Sequence, residues 1–134
     1  MEVETMTEPK KVTLDSLIKK KMELKENGNR KATGALYIPS LDGEIEYEVY
    51  KSDIVDFKNT DGGEEEAEKA VNTLIYTMIK SPDLRDKQLQ KELGCDEPID
   101  VVPLIFTEGE RIDLMNLALE KTGFQAGVIK EVKN

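Results

Sequence analysis

From Asp86 to Phe124 the chain reads DKQLQKELGCDEPIDVVPLIFTEGERIDLMNLALEKTGF, and its punctuation leaves the backbone little freedom. Gly94 supplies the positive φ that stops a helix. Pro98 suits the first residue of a new one, preceded by Asp96 or Glu97. Thr107, with Glu110 three residues on, spells a capping box. Gly123 ends the last helix, and Phe124 beyond it can pack back. The pattern predicts a short helix over 83–93 with Leu84, Leu89 and Leu93 as its apolar positions. An apolar element follows from Ile99 to Phe106, buried on several sides and interrupted by Pro103. The final helix packs through Ile112, Leu114, Met115, Leu117, Ala118 and Leu119. Every one of these marker residues has a backbone reason to be present, and none suggests an active site.

Upstream, the signals are equally local. Thr13 is a good N-cap, and Val12 before it can staple onto Leu17. Leu14, Leu17, Ile18 and Met22 share a helical face, with Leu24 at its margin and Lys19, Lys20, Lys21, Glu23 and Lys25 between them. Asn27, Gly28 and Asn29 end that helix. Ala35–Ile38, the turn cluster PSLDG and the alternating run Glu44–Tyr50 then predict an antiparallel hairpin over about residues 33–50. Ile45, Tyr47 and Val49 face the core, and Glu44, Glu46 and Glu48 face water. Ser52 caps a short piece with Ile54, Val55 and Phe57. Glu64, Glu65 and Glu66 open the longest helix, where acids favour the positive end. Its stripe is Ala67, Ala70, Val71, Leu74, Ile75, Met78 and Ile79, and Ser81-Pro82 ends it. The expected fold class is α+β: a predominantly helical single domain with one small antiparallel hairpin. The domain spans 12–124, with a disordered arm over 1–11 and a loose tail over 125–134.

With no Trp and only 5% aromatic residues, the core has to be aliphatic. The 134 residues suffice for one modest core without staples. Net charge is -9, unevenly placed. Lys10 to Lys31 holds eight Lys/Arg against three acids, a basic arm on an acidic body. It has no interleaved aromatic residue, so a solvated face or docking segment fits better than nucleic-acid or membrane contact. Cys95 is the one cysteine, which points to a reducing compartment. No stretch reads as a signal peptide or membrane span.

The chain has no His, the commonest general base and metal ligand near neutral pH. Neither a P-loop nor a GxGxxG is present. Cys95 lies beside Asp96 and Glu97, which disfavour the thiolate, so it reads as a packed residue. Asp61–Glu66 lacks the alternating ligands of a calcium loop. These readings single out no catalytic, cofactor or metal site and favour protein–protein binding, with an enzyme using carboxylates alone as a further open class.

Against that background, Lys87-Gln88-Leu89-Gln90, Leu93-Gly94-Cys95, Glu97-Pro98-Ile99-Asp100-Val101-Val102, Ile105-Phe106, Glu108-Gly109-Glu110 and Thr122-Gly123-Phe124 carry a resemblance. In this order they resemble the tail assembly chaperones of long-tailed phages and prophages of Gram-positive bacteria. Thr13-Leu14-Asp15-Ser16-Leu17 and the run YIPSLDGEIEYE match more loosely. The resemblance covers roughly residues 12–124, is weak over 52–82, and Pro103 departs from it.

The resemblance implies a non-enzymatic assembly factor in the bacterial host cytoplasm, absent from the mature virion. Its implied partners are the tape-measure protein, the tail-tube protein and further copies of itself, with no nucleic acid and no membrane. The expected contact residues are Leu14, Leu17, Ile18, Lys19, Lys20, Lys21, Met22, Phe106 and Phe124. The competing reading is a small phage or host regulatory or adaptor protein that acts by protein–protein binding.

Overall fold

The computed structural model describes residues 10–26, 28, 30–124, 127 and 129–132. The expected disordered arm over 1–11 lies outside these except for Lys10 and Lys11. So do Asn27, Asn29 and half of the 125–134 tail. The chain divides into two units, residues 1–28 with 125–134, and residues 29–124.

In the first unit Thr13 caps α1 (Leu14–Lys19) as its sequence demands. The Thr13 hydroxyl accepts from the Ser16 N–H, and the Thr13 N–H donates to Ser16 Oγ, both at 3.1 Å. The predicted single helix is broken at Lys20 and resumes as α2 (Lys21–Glu26). Lys20 adopts φ -95°, ψ 14°, and its N–H reaches the Leu17 carbonyl, tightening the last turn of α1. Val12 and Leu17 both stay exposed, so no hydrophobic staple shields them.

The second unit is built on a three-stranded antiparallel sheet of order β1-β2-β3: β1 (Lys31–Ile38), β2 (Gly43–Tyr50) and β3 (Ile79–Ser81). The hairpin is the predicted one, extended by two residues at its start, with Leu36 opposite Ile45 and Gly34 opposite Tyr47. Ile45, Tyr47 and Val49 are buried, while Glu44 and Glu46 are exposed and Glu48 is half-buried. Helix α3 (Lys51–Lys58) starts two residues earlier than a Ser52 cap would place it. Its N-terminal bond is the Tyr50 N–H donated to Asp53 Oδ2 at 3.0 Å, so Ser52 is not the cap.

Helix α4 (Glu64–Met78) is the central core helix, burying Leu74, Ile75 and Met78. Ala67, expected in its stripe, is exposed. Ile79 leaves the helix and pairs with Tyr47 as the start of β3. The helical period put Ile79 on the buried face, and the strand buries it too, so periodicity could not separate the two. Ser81 precedes a proline, which disfavours helix there.

Helix α5 (Lys87–Glu92) begins later than the predicted 83–93 element. Asp83 and Asp86 each hold a turn through their side chains, and Asp86 Oδ2 accepts from the Leu89 N–H at 2.8 Å. Leu84 is fully buried from that turn, while Leu93 is exposed. Past α5, Gly94 has φ +71°, and the Cys95 N–H bonds back to Gln90 while Gly94 bonds to Lys91. These two bonds complete a Schellman stop. A 3-10 turn over Pro98–Asp100 leads into α6 (Val101–Ile105). The backbone stays helical through Pro103 rather than being interrupted there. Val101 and Val102 are buried, but Leu104 faces out, so the element is covered on fewer sides than its composition predicted.

Helix α7 (Glu108–Lys121) closes the unit and ends in a second Schellman stop, with Gly123 at φ +91° and the Phe124 N–H on the Leu119 carbonyl at 2.8 Å. It buries Leu114 and Ala118 against α4 and β1. Ile112, expected to pack, is half-exposed, and its neighbour Arg111 turns inward instead. Arg111 Nη1 donates to Asn72 Oδ1 at 3.0 Å and lies 3.6 Å from a Glu68 carboxylate oxygen, tying α7 to α4.

Candidate partner-binding surfaces

The α1–α2 arm carries most of the expected contact residues. Leu14 is 80% exposed, Met22 66% and Ile18 64%, with Val12, Leu17 and Leu24 exposed as well. Lys19, Lys20 and Lys21 are exposed among them. Lys19 Nζ sits 3.3 Å from Asp15 one turn back, a fully solvated pair that adds little stability. The arm is therefore a basic helical segment whose large apolar side chains meet water.

Phe106 and Phe124 belong to the second unit. Phe106, expected as a contact residue, is 2% exposed and belongs to the core beside Val101 and Val102. The backbone at Phe106, just past α6, is extended. Phe124 is half-buried against the core, with the Lys51 and Lys58 ammonium groups 6.0 and 5.8 Å from its ring centroid. Its role is to finish the α7 stop, as its position after Gly123 requires.

The carboxylates of the body stay dispersed. A groove of about 290 Å³ between α3 and α4 is lined by Asp53, Asp56 and Glu66 over Phe57 and Leu74. A second, of about 390 Å³ between α4 and α7, has Glu64, Glu68 and Glu108 over Val71 and Met115. Both are open to solvent. Glu110 is a carboxylate with a perturbed proton affinity. Burial pushes it up, but hydrogen bonds from Thr107 and Ser40 outweigh that and hold it below the ordinary range. Ser40 donates from both N–H and hydroxyl, at 3.0 and 2.8 Å, and Thr107 from its N–H at 3.0 Å. Glu110 thus clamps the β1–β2 turn to the start of α7, a tie the capping box predicted only in half.

Burial raises the Cys95 thiol, aided by Asp100 and Asp96, as its acidic neighbours suggested. Among the described residues no group of three or more Cys, Asp or Glu is placed to hold a metal ion. None of their helices is long and apolar enough to cross a membrane.

Fold and surface together define a helix-rich α+β scaffold that offers faces and edges, with its carboxylates spread through water. The chain matches the phage XkdN-like tail assembly chaperone family over residues 4–133, and it belongs to that family. No curated protein and no solved structure matches it.

Proposed function

We propose that this tail assembly chaperone works by holding the tape-measure protein and helping the tail-tube subunit assemble around it in the bacterial cytoplasm. One observation carries the reading: six large apolar side chains between Val12 and Leu24 are exposed on a basic, capped helical arm. Complete burial of one such side chain from full exposure releases about 1.5–3 kcal/mol, the upper bound for each contact. A stripe of this width fits an amphipathic helix laid against it, and the lysines favour an acidic client. The body supplies no competing chemistry.

The test is co-expression with the tape-measure protein of the same phage, followed by pull-down. The client is expected to stay soluble and to co-purify. The double variant Ile18→Glu, Met22→Glu is expected to lose the client while keeping its circular dichroism and Tm, because both side chains are exposed. A client equally soluble without the chaperone, or equally bound by the variant, overturns the proposal.

A further inference from the structure

The β1 edge is open in a way that sheets usually avoid. Strand order makes β1 an outer strand. The Lys51 N–H donates to the Arg30 carbonyl at 2.8 Å, continuing the register in which Lys31 faces Tyr50. Antiparallel pairs alternate, so Ala32, Gly34, Leu36 and Ile38 bond to β2. The N–H and C=O groups of Thr33, Ala35 and Tyr37 therefore point away from the sheet, and no described residue pairs with them. From Ala32 to Ile38 the strand has no charge and no proline, and its pairing with β2 has no bulge. These are the devices that normally blunt an edge.

Beside this edge lies a slot of about 140 Å³ between β1 and α7. Leu36 and Ile38 form one wall, Leu114 and Leu117 the other, and Glu110 and Asp113 rim it on α7. Those four α7 positions are one helical stripe. The space suits one aliphatic side chain, and the rim is acidic, with no base in the lining.

We infer that β1 and α7 form a strand-addition groove for an extended segment of a partner protein, one that alternates apolar with basic or hydroxyl residues. The segment bonds to the outward groups of Thr33, Ala35 and Tyr37. One of its inward side chains enters the slot, and a neighbouring Lys or Arg meets Asp113. Edge recognition of this kind takes affinity from the main chain and selectivity from alternate side chains. Charge decides against a second copy as the occupant. Antiparallel pairing of two β1 strands about Ala35 sets Gly34 of one against Leu36 of the other, which leaves the slot without a side chain. It also places two acidic α7 rims on the same side of the joined sheet. This groove reads extended chain, so it stands or falls separately from the helical arm.

The experiment is amide NMR of the full chain titrated with a synthetic peptide of about eight residues, the usual strand length, alternating leucine with threonine and lysine. A control peptide carries glutamate for lysine. The basic peptide is expected to protect the Thr33, Ala35 and Tyr37 amides from exchange by about tenfold or more, while Gly34 and Leu36 barely change. Ala35→Pro removes one outward donor without touching the β1–β2 ladder, and Asp113→Lys reverses the rim. Each is expected to weaken the basic peptide by about tenfold, and Asp113→Lys also serves if Ala35→Pro fails to fold. Equal binding of both peptides, shifts confined to other residues, or no binding overturns the groove. Protection of the same amides by protein concentration alone assigns the edge to a second copy and overturns it as well.

Discussion

Replacing Glu110 by Ala is the most searching perturbation of this fold, because a single carboxylate joins two elements far apart in sequence. The substitution removes the Thr107 back-bond of the α7 cap and both bonds from Ser40. Each is a charge-assisted bond at a solvent-facing site, and the lower end of the usual range applies, about 0.5–1 kcal/mol apiece. The total is about 2 kcal/mol. At about 3–5 °C per kcal/mol for a chain of this size, Tm falls by about 6–10 °C. Ser40→Ala removes only the hydroxyl bond, and the double-mutant cycle returns a coupling of about 0.5 kcal/mol or more. The pH dependence has a fixed sign. Glu110 titrates lower in the folded chain than in the unfolded one. Its contribution is therefore complete above the ordinary glutamate value of about 4.3 and is lost as pH falls through the lower folded value. Thermal melts of wild type and Glu110→Gln, which cannot titrate, are expected to differ at pH 7 and to draw together as pH falls below the ordinary glutamate range. A gap that does not shrink on acidification, or zero coupling between Ser40 and Glu110, refutes the clamp.

Gly34→Val is expected to lower Tm by several degrees, since even a bare Cβ there would stand 2.9 Å from Tyr47 Cε2, and that ring is 6% exposed. Overpacking of this kind costs about 1–3 kcal/mol, and a thermal melt that rises instead shows that the ring can move aside. Cys95 is expected to react with a disulfide reagent at pH 7.5 more slowly than free cysteine and to gain rate only at higher pH, because burial, Asp100 and Asp96 raise its thiol. A rate equal to free cysteine removes that account.

Local signals in the sequence were sufficient at most caps and stops, though not at Ser52 or at the break at Lys20. Thr13, Gly94, Pro98, Thr107 and Gly123 do what their types require, and the Glu44–Tyr50 alternation gives the hairpin face residue by residue. What escaped depends on contacts across the fold. Ile79 satisfies a helix and a strand equally, and only its pairing with Tyr47 decides. Ile112 was expected to pack and is 49% exposed, because the spacing of α7 does not say which neighbour turns inward. The sequence does not single out Arg111, whose partner Asn72 lies 39 positions away. On the candidate surface, the arm was legible from its apolar stripe set among lysines. The groove beside β1 was not, since strand order and the position of α7 have no local signature.

On the function proposed above, the chaperone is released once the tail is built and so has to bind reversibly, and the exposed side chains of the arm are on that scale. Six exposed apolar side chains offer about 9–18 kcal/mol if all are fully covered. A client helix covers only one side of each, which cuts that severalfold, and association itself costs about 4–15 kcal/mol in lost freedom. Set against that cost, one arm leaves little or no surplus, so a single arm holds only weakly. Under the proposed function, tight capture of a long client requires several arms at once, and multivalent binding of this kind can be undone one arm at a time. A deep pocket would give tight binding at one point and slow release. On the proposed reading, shallow, repeated and basic contacts give a hold that polymerisation can undo.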